Sequence, residues 1–136
     1  MALKITLKQN ERMIVGRAVL RNGNTKCNLM IENNVPILRE KDIIGEKQAD
    51  SPARRIYYII QLMYIDEENL KDYHKTYWSF VGDFVRAVPS ATGIIDQINE
   101  NILSEKYYHA LKLTKKLLKY EQKLISQYSE LTENSV

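Results

Sequence analysis

Apolar and polar residues alternate at the start of the chain, with Leu3, Ile5 and Leu7 separated by Lys4, Thr6 and Lys8. A repeat of two sends every second side chain to the same face, so this segment reads as a strand with one buried side. Gln9-Asn10 supplies a turn. Met13, Ile14, Val15, Ala18, Val19 and Leu20 make residues 12–20 a strand-like run. Asn22-Gly23-Asn24 then reads as a hairpin turn, because Asn and Gly tolerate the positive φ of a tight primed turn. Cys27, Leu29 and Ile31 alternate on the return strand. Beyond Asn33-Asn34, the stretch Val35-Pro36-Ile37-Leu38 reads as a short edge strand, since proline cannot donate to the interior of a ladder.

After Asp42 the period changes to 3.6. Ser51 followed by Pro52 marks a helix start, with Ser51 as N-cap and Pro52 at the first position, where its missing N–H leaves nothing unsatisfied. Ile56, Ile59, Ile60, Leu62 and Met63 give this helix a wide apolar surface and make it the central one. Asp66-Glu67-Glu68 opens a second helix with acids at its positive end. Leu70, Tyr73, Tyr77, Phe80, Val81, Phe84 and Val88 follow at helical spacing up to Pro89-Ser90. Ile94, Ile95, Ile98 and Ile102 share a face of a third helix over residues 91–103. A fourth, over 105–128, carries Tyr107, Leu111, Leu118, Ile125 and Tyr128 on one stripe and Lys112, Lys115, Lys116, Lys119 and Lys123 on the other side, interleaved by Glu121. Residues 131–136 read as frayed.

The pattern predicts an α+β protein: a small N-terminal antiparallel β module (residues 1–44) followed by a bundle of about four α-helices (45–130), together one domain over 1–136. A chain of 136 residues with 44% hydrophobic and 27% charged residues buries a modest core unaided. The single cysteine, Cys27, cannot form an internal disulfide. No apolar run approaches the roughly 20 residues of a membrane span, and the start does not read as a signal peptide. A cytoplasmic protein without membrane contact is expected.

Net charge is +3, and its distribution matters more than its size. Residues 1–44 hold eight Lys and Arg against four Asp and Glu, residues 45–90 six against seven, and residues 91–136 six of each. The basic excess lies in the N-terminal third, where a polyanion would find it. Arg39 and Lys41, with Lys4, Lys8, Arg12, Arg17 and Arg21, are placed to line a basic face of a small sheet; a solvated polar face carries the same charges. Arg54 and Arg55 fall in the first turn of a helix, where cations oppose the macrodipole, so RNA or an acidic side chain (Glu40, Asp42 or Asp50) is expected to compensate them. Of the nine tyrosines, most read as core edge or protein interface, Tyr107 and Tyr128 as packed. His74 and His109 lie far apart without a further ligand at metal spacing, and neither a phosphate loop nor a nucleophile elbow is present. The chain is therefore expected to be no enzyme and to use no cofactor and no metal.

Several blocks taken together resemble the FlbT family of flagellar regulators: Met1-Ala2-Leu3-Lys4-Ile5, Ile31-Glu32-Asn33, Leu38-Arg39-Glu40-Lys41-Asp42-Ile43, Ser51-Pro52-Ala53-Arg54-Arg55-Ile56-Tyr57-Tyr58, Gln61-Leu62-Met63-Tyr64, Ala87-Val88-Pro89-Ser90 and Tyr107-Tyr108-His109-Ala110-Leu111-Lys112. Gln9-Asn10 departs from the Pro-Gly turn the family pattern leads one to expect. The resemblance implies a post-transcriptional regulator that binds the 5′ untranslated leader of flagellin mRNA, usually as a repressor, with FlaF and flagellin as protein partners. Residues 1–44 are also similar in strand order to the carbon storage regulator family, which implies an RNA-binding role for Arg39 beside residues 4–8. The RNA-binding candidates are thus Lys4, Lys8, Arg12, Arg39, Lys41, Arg54 and Arg55, in a homodimer. The competing reading is an adaptor that docks flagellin or FlaF and reaches the message indirectly.

Overall fold

A computed structural model describes residues 2–134, with side chains through Leu131. It divides into two compact units, residues 2–43 with Tyr64–Glu68 and residues 44–63 with 69–134.

The first unit is a pair of small antiparallel sheets. Strand β1 (Leu3–Leu7) pairs with β4 (Cys27–Ile31), and β2 (Arg12–Val15) lies between β3 (Ala18–Arg21) and β5 (Ile37–Arg39). Alternation along β1 works in part: Ile5 and Leu7 are buried, and with Met13 they form a core against which Val15, Cys27, Leu29, Ile31 and Ile37 pack, whereas Leu3 at the start of the strand is 50% exposed. The edge position expected for the Pro36 segment is found, since β5 ends the order β3-β2-β5.

The expected strand over residues 12–20 is not continuous. Gly16 adopts φ 60° and the chain reverses there, so that Val15 faces Ala18 across a two-residue hairpin. Glycine at the first central position is what a type II′ turn requires, and the twist of that turn matches its flanking strands. Asn22-Gly23-Asn24 consequently joins β3 to a strand of the other sheet and closes no hairpin. Both signals permit a turn on local chemistry, and strand pairing selected the first. At Gln9-Asn10 the turn does form: the Glu11 N–H donates to Lys8 O at 3.1 Å, and Asn10 takes φ 59°, doing what glycine would have done.

Helix α1 (Pro52–Ile65) starts as its sequence indicates, with Ser51 Oγ accepting from Arg54 N at 3.2 Å. A second contribution comes from far along the chain. Glu121 accepts from Ser51 Oγ at 2.6 Å and from Ala53 N at 2.9 Å, placing a carboxylate at the positive end of α1. Within this unit, Ile56, Ile59, Ile60 and Met63 are buried, and the Gln61 carboxamide accepts from Ile44 N and donates to Ile44 O, both at 2.9 Å. The last turn of α1 belongs to the first unit, where Tyr64 Oη accepts from Ile37 N at 3.2 Å.

A 3₁₀ turn at Glu67–Asn69 precedes α2 (Leu70–Ala87), and another at Pro89–Ala91 precedes α3 (Thr92–Leu103). Tyr77, Val81 and Phe84 are buried on α2, and Ile95, Ile98 and Ile102 on α3. Tyr77 Oη donates to Asn99 Oδ1 at 2.6 Å, and burial pushes this phenol far above its ordinary value. Helix α4 (Tyr107–Asn134) packs its first half on α3, burying Ala110, Leu111, Thr114 and Leu117. It outlasts the expected end at residue 128. The fraying expected over 131–136 is not seen through Asn134, and Ser135 and Val136 lie outside the described residues. The expected packing of Tyr128 fails: it is 73% exposed. None of the described helices is long and apolar enough to cross a membrane.

Gly16→Ala is expected to destabilise the protein by about 1 kcal/mol or more, because φ 60° strains an L residue and the added Cβ would stand 3.2 Å from Val35 Cγ2. Urea unfolding checks this; an unchanged midpoint would contradict the turn assignment.

Candidate nucleic-acid interface

Strand register decides which cations meet. Leu7 faces Cys27, Arg12 faces Arg21, and Met13 faces Arg39. The ends of β1, β3 and β5 and the starts of β2 and β4 therefore gather at one end of the β module. Lys8, Arg12, Arg21, Lys26, Arg39 and Lys41 all belong to that end, against Glu11 and Glu40. The far end, at the Gly16-Arg17 turn, is different: Arg17 is paired with Glu68 at 3.0 Å.

The basic end is held by side chains that satisfy the strand termini. Both N–H bonds of the Asn22 carboxamide are used at 2.8 Å, one on Lys8 O and one on Thr25 O, while its oxygen accepts from Gly23 N at 2.9 Å. Glu11 accepts from Lys8 N at 2.9 Å through one oxygen and from Arg39 Nη2 at 3.1 Å through the other. Arg39 Nη2 also donates to Thr6 O at 2.9 Å, tying β5 to β1 across the two sheets. The Lys8 N–H foremost, and then the Arg39 guanidinium, hold the Glu11 carboxyl below its ordinary value, although partial burial pulls the other way.

Beside this stitch lies a concavity of about 450 Å³ lined by Lys8, Gln9, Glu11, Arg39, Glu40 and Lys41. On strands β2 and β3 Arg12 and Arg21 stand directly opposite each other, both exposed. Like charges so placed destabilise a sheet unless something negative lies between them, and among the described residues neither is ion-paired.

Of the residues singled out by sequence, Lys8, Arg12, Arg39 and Lys41 are brought together. They share an end of the module, not one face of a sheet, since Arg12 and Met13 alternate and Arg39 lies on the Met13 side. Lys4 is exposed on β1, four residues or about 13 Å back from Lys8 along the strand. Arg54 and Arg55 belong to the second unit. Arg54 meets Asp50 at 2.6 Å, one of the carboxylates expected to compensate it, and that hydrogen bond holds Asp50 below its ordinary value. Arg39 does more structural work than an RNA-reading arginine needs to: its side chain is 41% exposed, and its Nε is buried without a hydrogen-bond partner among the described residues. Lys26 escaped the sequence reading. Its place follows from the pairing of Cys27 with Leu7, which a hairpin at Asn22-Gly23 would have hidden.

The linkage sign for Glu11 is fixed by its lowered folded pKa: the stabilisation is complete above the ordinary 4.5 and is lost as pH falls through the lower folded value. Glu11→Gln is therefore expected to be less stable than the parent at neutral pH, with the gap closing in acid. Urea unfolding across pH checks this, and a gap independent of pH would contradict it.

The sequence profile described as flagellar protein FlbT matches residues 3–125. The chain is 48% identical over 129 residues to the probable flagellum biosynthesis repressor protein FlbT 1 of Bradyrhizobium diazoefficiens, covering 94% of this chain and 88% of that protein. It is 36% identical over 127 residues to a probable repressor of the same name from Rhodopseudomonas palustris, covering 93% of this chain and all of that protein. Against the flagellum biosynthesis repressor protein FlbT of Caulobacter vibrioides it is 32% identical over 131 residues, covering 95% and 93% of the two chains. No solved structure matches. With the profile spanning residues 3–125 and relatives matching over most of both chains, this chain belongs to the FlbT family of flagellar regulators.

Proposed function

We propose that this chain is a cytoplasmic post-transcriptional regulator of flagellin synthesis, binding the 5′ untranslated leader of flagellin mRNA through the basic end of its β module and controlling translation and stability of the message. The observation that carries this reading is the gathering of Lys8, Arg12, Arg21, Lys26, Arg39 and Lys41 at one end by strand register. The repressor names of the relatives support a regulatory role, and the family resemblance supplies the message.

The division of labour follows from charge and exposure. Lys8, Lys26 and Lys41 are exposed and suited to phosphates, which set affinity without reading sequence. Phosphate between Arg12 and Arg21 would relieve their repulsion. Arg39, braced by Glu11 and Thr6 O, shapes the floor on which an unstacked base could lie against its guanidinium plane. Occupying a leader in this way competes with ribosome access.

Arg39→Ala is a poor test because it also unties β5 from β1. Lys26→Ala with Lys41→Ala is better, since both side chains are exposed and Lys8, Arg12 and Arg21 remain. Fluorescence anisotropy with a flagellin leader across a salt series should show steep loss of affinity, with each phosphate contact contributing about 0.7 to the log–log slope on single-stranded RNA. The double variant is expected to flatten that slope by about 1.4 and to leave the unfolding midpoint unchanged. An unaltered slope would remove these lysines from the interface. Affinity for the leader no greater than for unrelated RNA would favour instead an adaptor docking flagellin or FlaF.

A further inference from the structure

Of the four sheet faces in the β module, three hold buried apolar residues: Ile5 and Leu7 on the inward side of β1, Ile14 and Leu38 on one side of β2 and β5, and Met13 on the other. The fourth, the outward face of the β1–β4 ribbon, holds none. Alternation and register set Lys4 beside Met30 and Thr6 beside Asn28 on it, and Lys8 and Lys26 follow just past its last pair, Leu7 and Cys27. All of these but Thr6 are exposed, Met30 to 56%. Three lysines and no acid occupy this surface, whereas ordinary solvated surfaces intersperse both signs. A polyanion complements it. The face joins the basic end of the module through Lys8 and Lys26 and extends it along the ribbon to Lys4.

At the centre of the face the Thr6 hydroxyl donates to Asn28 Oδ1 at 2.8 Å. That bond occupies the carboxamide oxygen and fixes which way the group is turned. The two Nδ2 hydrogens, without a partner among the described residues, are left as its free donors. A fixed pair of donors distinguishes bases by the acceptors on their edges, whereas lysines alone grip phosphate and read nothing. Met30 adds an apolar, polarisable surface against which a base ring can lie. Only unpaired RNA opens its base edges to such a ribbon, since side chains cannot read the deep, narrow major groove of an RNA duplex.

We propose that the outward face of the β1–β4 ribbon reads an unpaired stretch of RNA, with Asn28 as the specificity-determining residue and Lys4, Lys8 and Lys26 on the phosphates. Thr6 is a positioning residue that holds the Asn28 carboxamide. This rests on the RNA-binding reading above and adds to it the surface that tells one message from another.

Anisotropy titrations with a flagellin leader and with an unrelated RNA of equal length, each across a salt series, test this. Asn28→Ala is expected to weaken leader binding about tenfold while leaving the salt slope and the affinity for unrelated RNA as they are. Asn28→Asp keeps an acceptor for the Thr6 hydroxyl but removes both donors, so it should also lose the margin between leader and unrelated RNA with the cross-strand bond intact. Lys4→Ala should instead weaken both RNAs alike and flatten the slope by about 0.7. A full margin for the leader in both Asn28 variants would overturn the base-reading role. An unaltered slope in Lys4→Ala would take this face out of the interface and leave the basic end, probed through Lys26 and Lys41, standing. A parent chain that binds both RNAs equally would overturn the proposal together with the reading on which it rests.

Discussion

Short strands expose many backbone groups at their ends, and in the β module those groups are satisfied largely by two side chains. The Asn22 carboxamide closes the gap between the end of β1 and the approach to β4, and the Arg39 guanidinium joins β5 to β1 through Thr6 O while leaning on Glu11. Each bond contributes about 0.5–1.5 kcal/mol, more where a charge takes part. Their larger effect is positional. By fixing where five strands end, they bring cations from distant parts of the chain to one place, and they hold one of those cations rigid.

This gives Arg39 and its neighbours different parts. An arginine tied to backbone and carboxylate cannot swing out to follow a flexible ligand, so it shapes a surface more than it captures one. Lys8, Lys26 and Lys41 are exposed at the same end of the module. Arg12 opposite Arg21 is locally unfavourable, and violations of local rules of this kind concentrate where function compensates them.

Much of the fold was legible because local periodicity and capping decided it. Alternation at Ile5 and Leu7, the Ser51-Pro52 start and the Pro89 stop each act within a few residues. The hairpin was not legible for the opposite reason. Gly16 and Asn22-Gly23 each permit a turn, and the choice rests on β1 pairing with β4 across the 19 residues between Leu7 and Cys27. Glu121 offers a second case. Spacing alone set it among the lysines of α4, yet it caps α1 from 68 residues away, a relation with no local trace. In the site, the cationic residue types were legible and their meeting place was not, since Lys26 and Arg21 join Lys8 and Arg39 only through register.

The central proposal is that RNA meets the basic end of the β module. Titrating the ¹⁵N-labelled chain with a flagellin leader and following the backbone amides tests this directly. Shifts are expected to group at residues 8–12, 21–26 and 39–41, with the amides around Lys116, Lys119 and Lys123 undisturbed. Shifts centred on that lysine side of α4, with the β module silent, would contradict it.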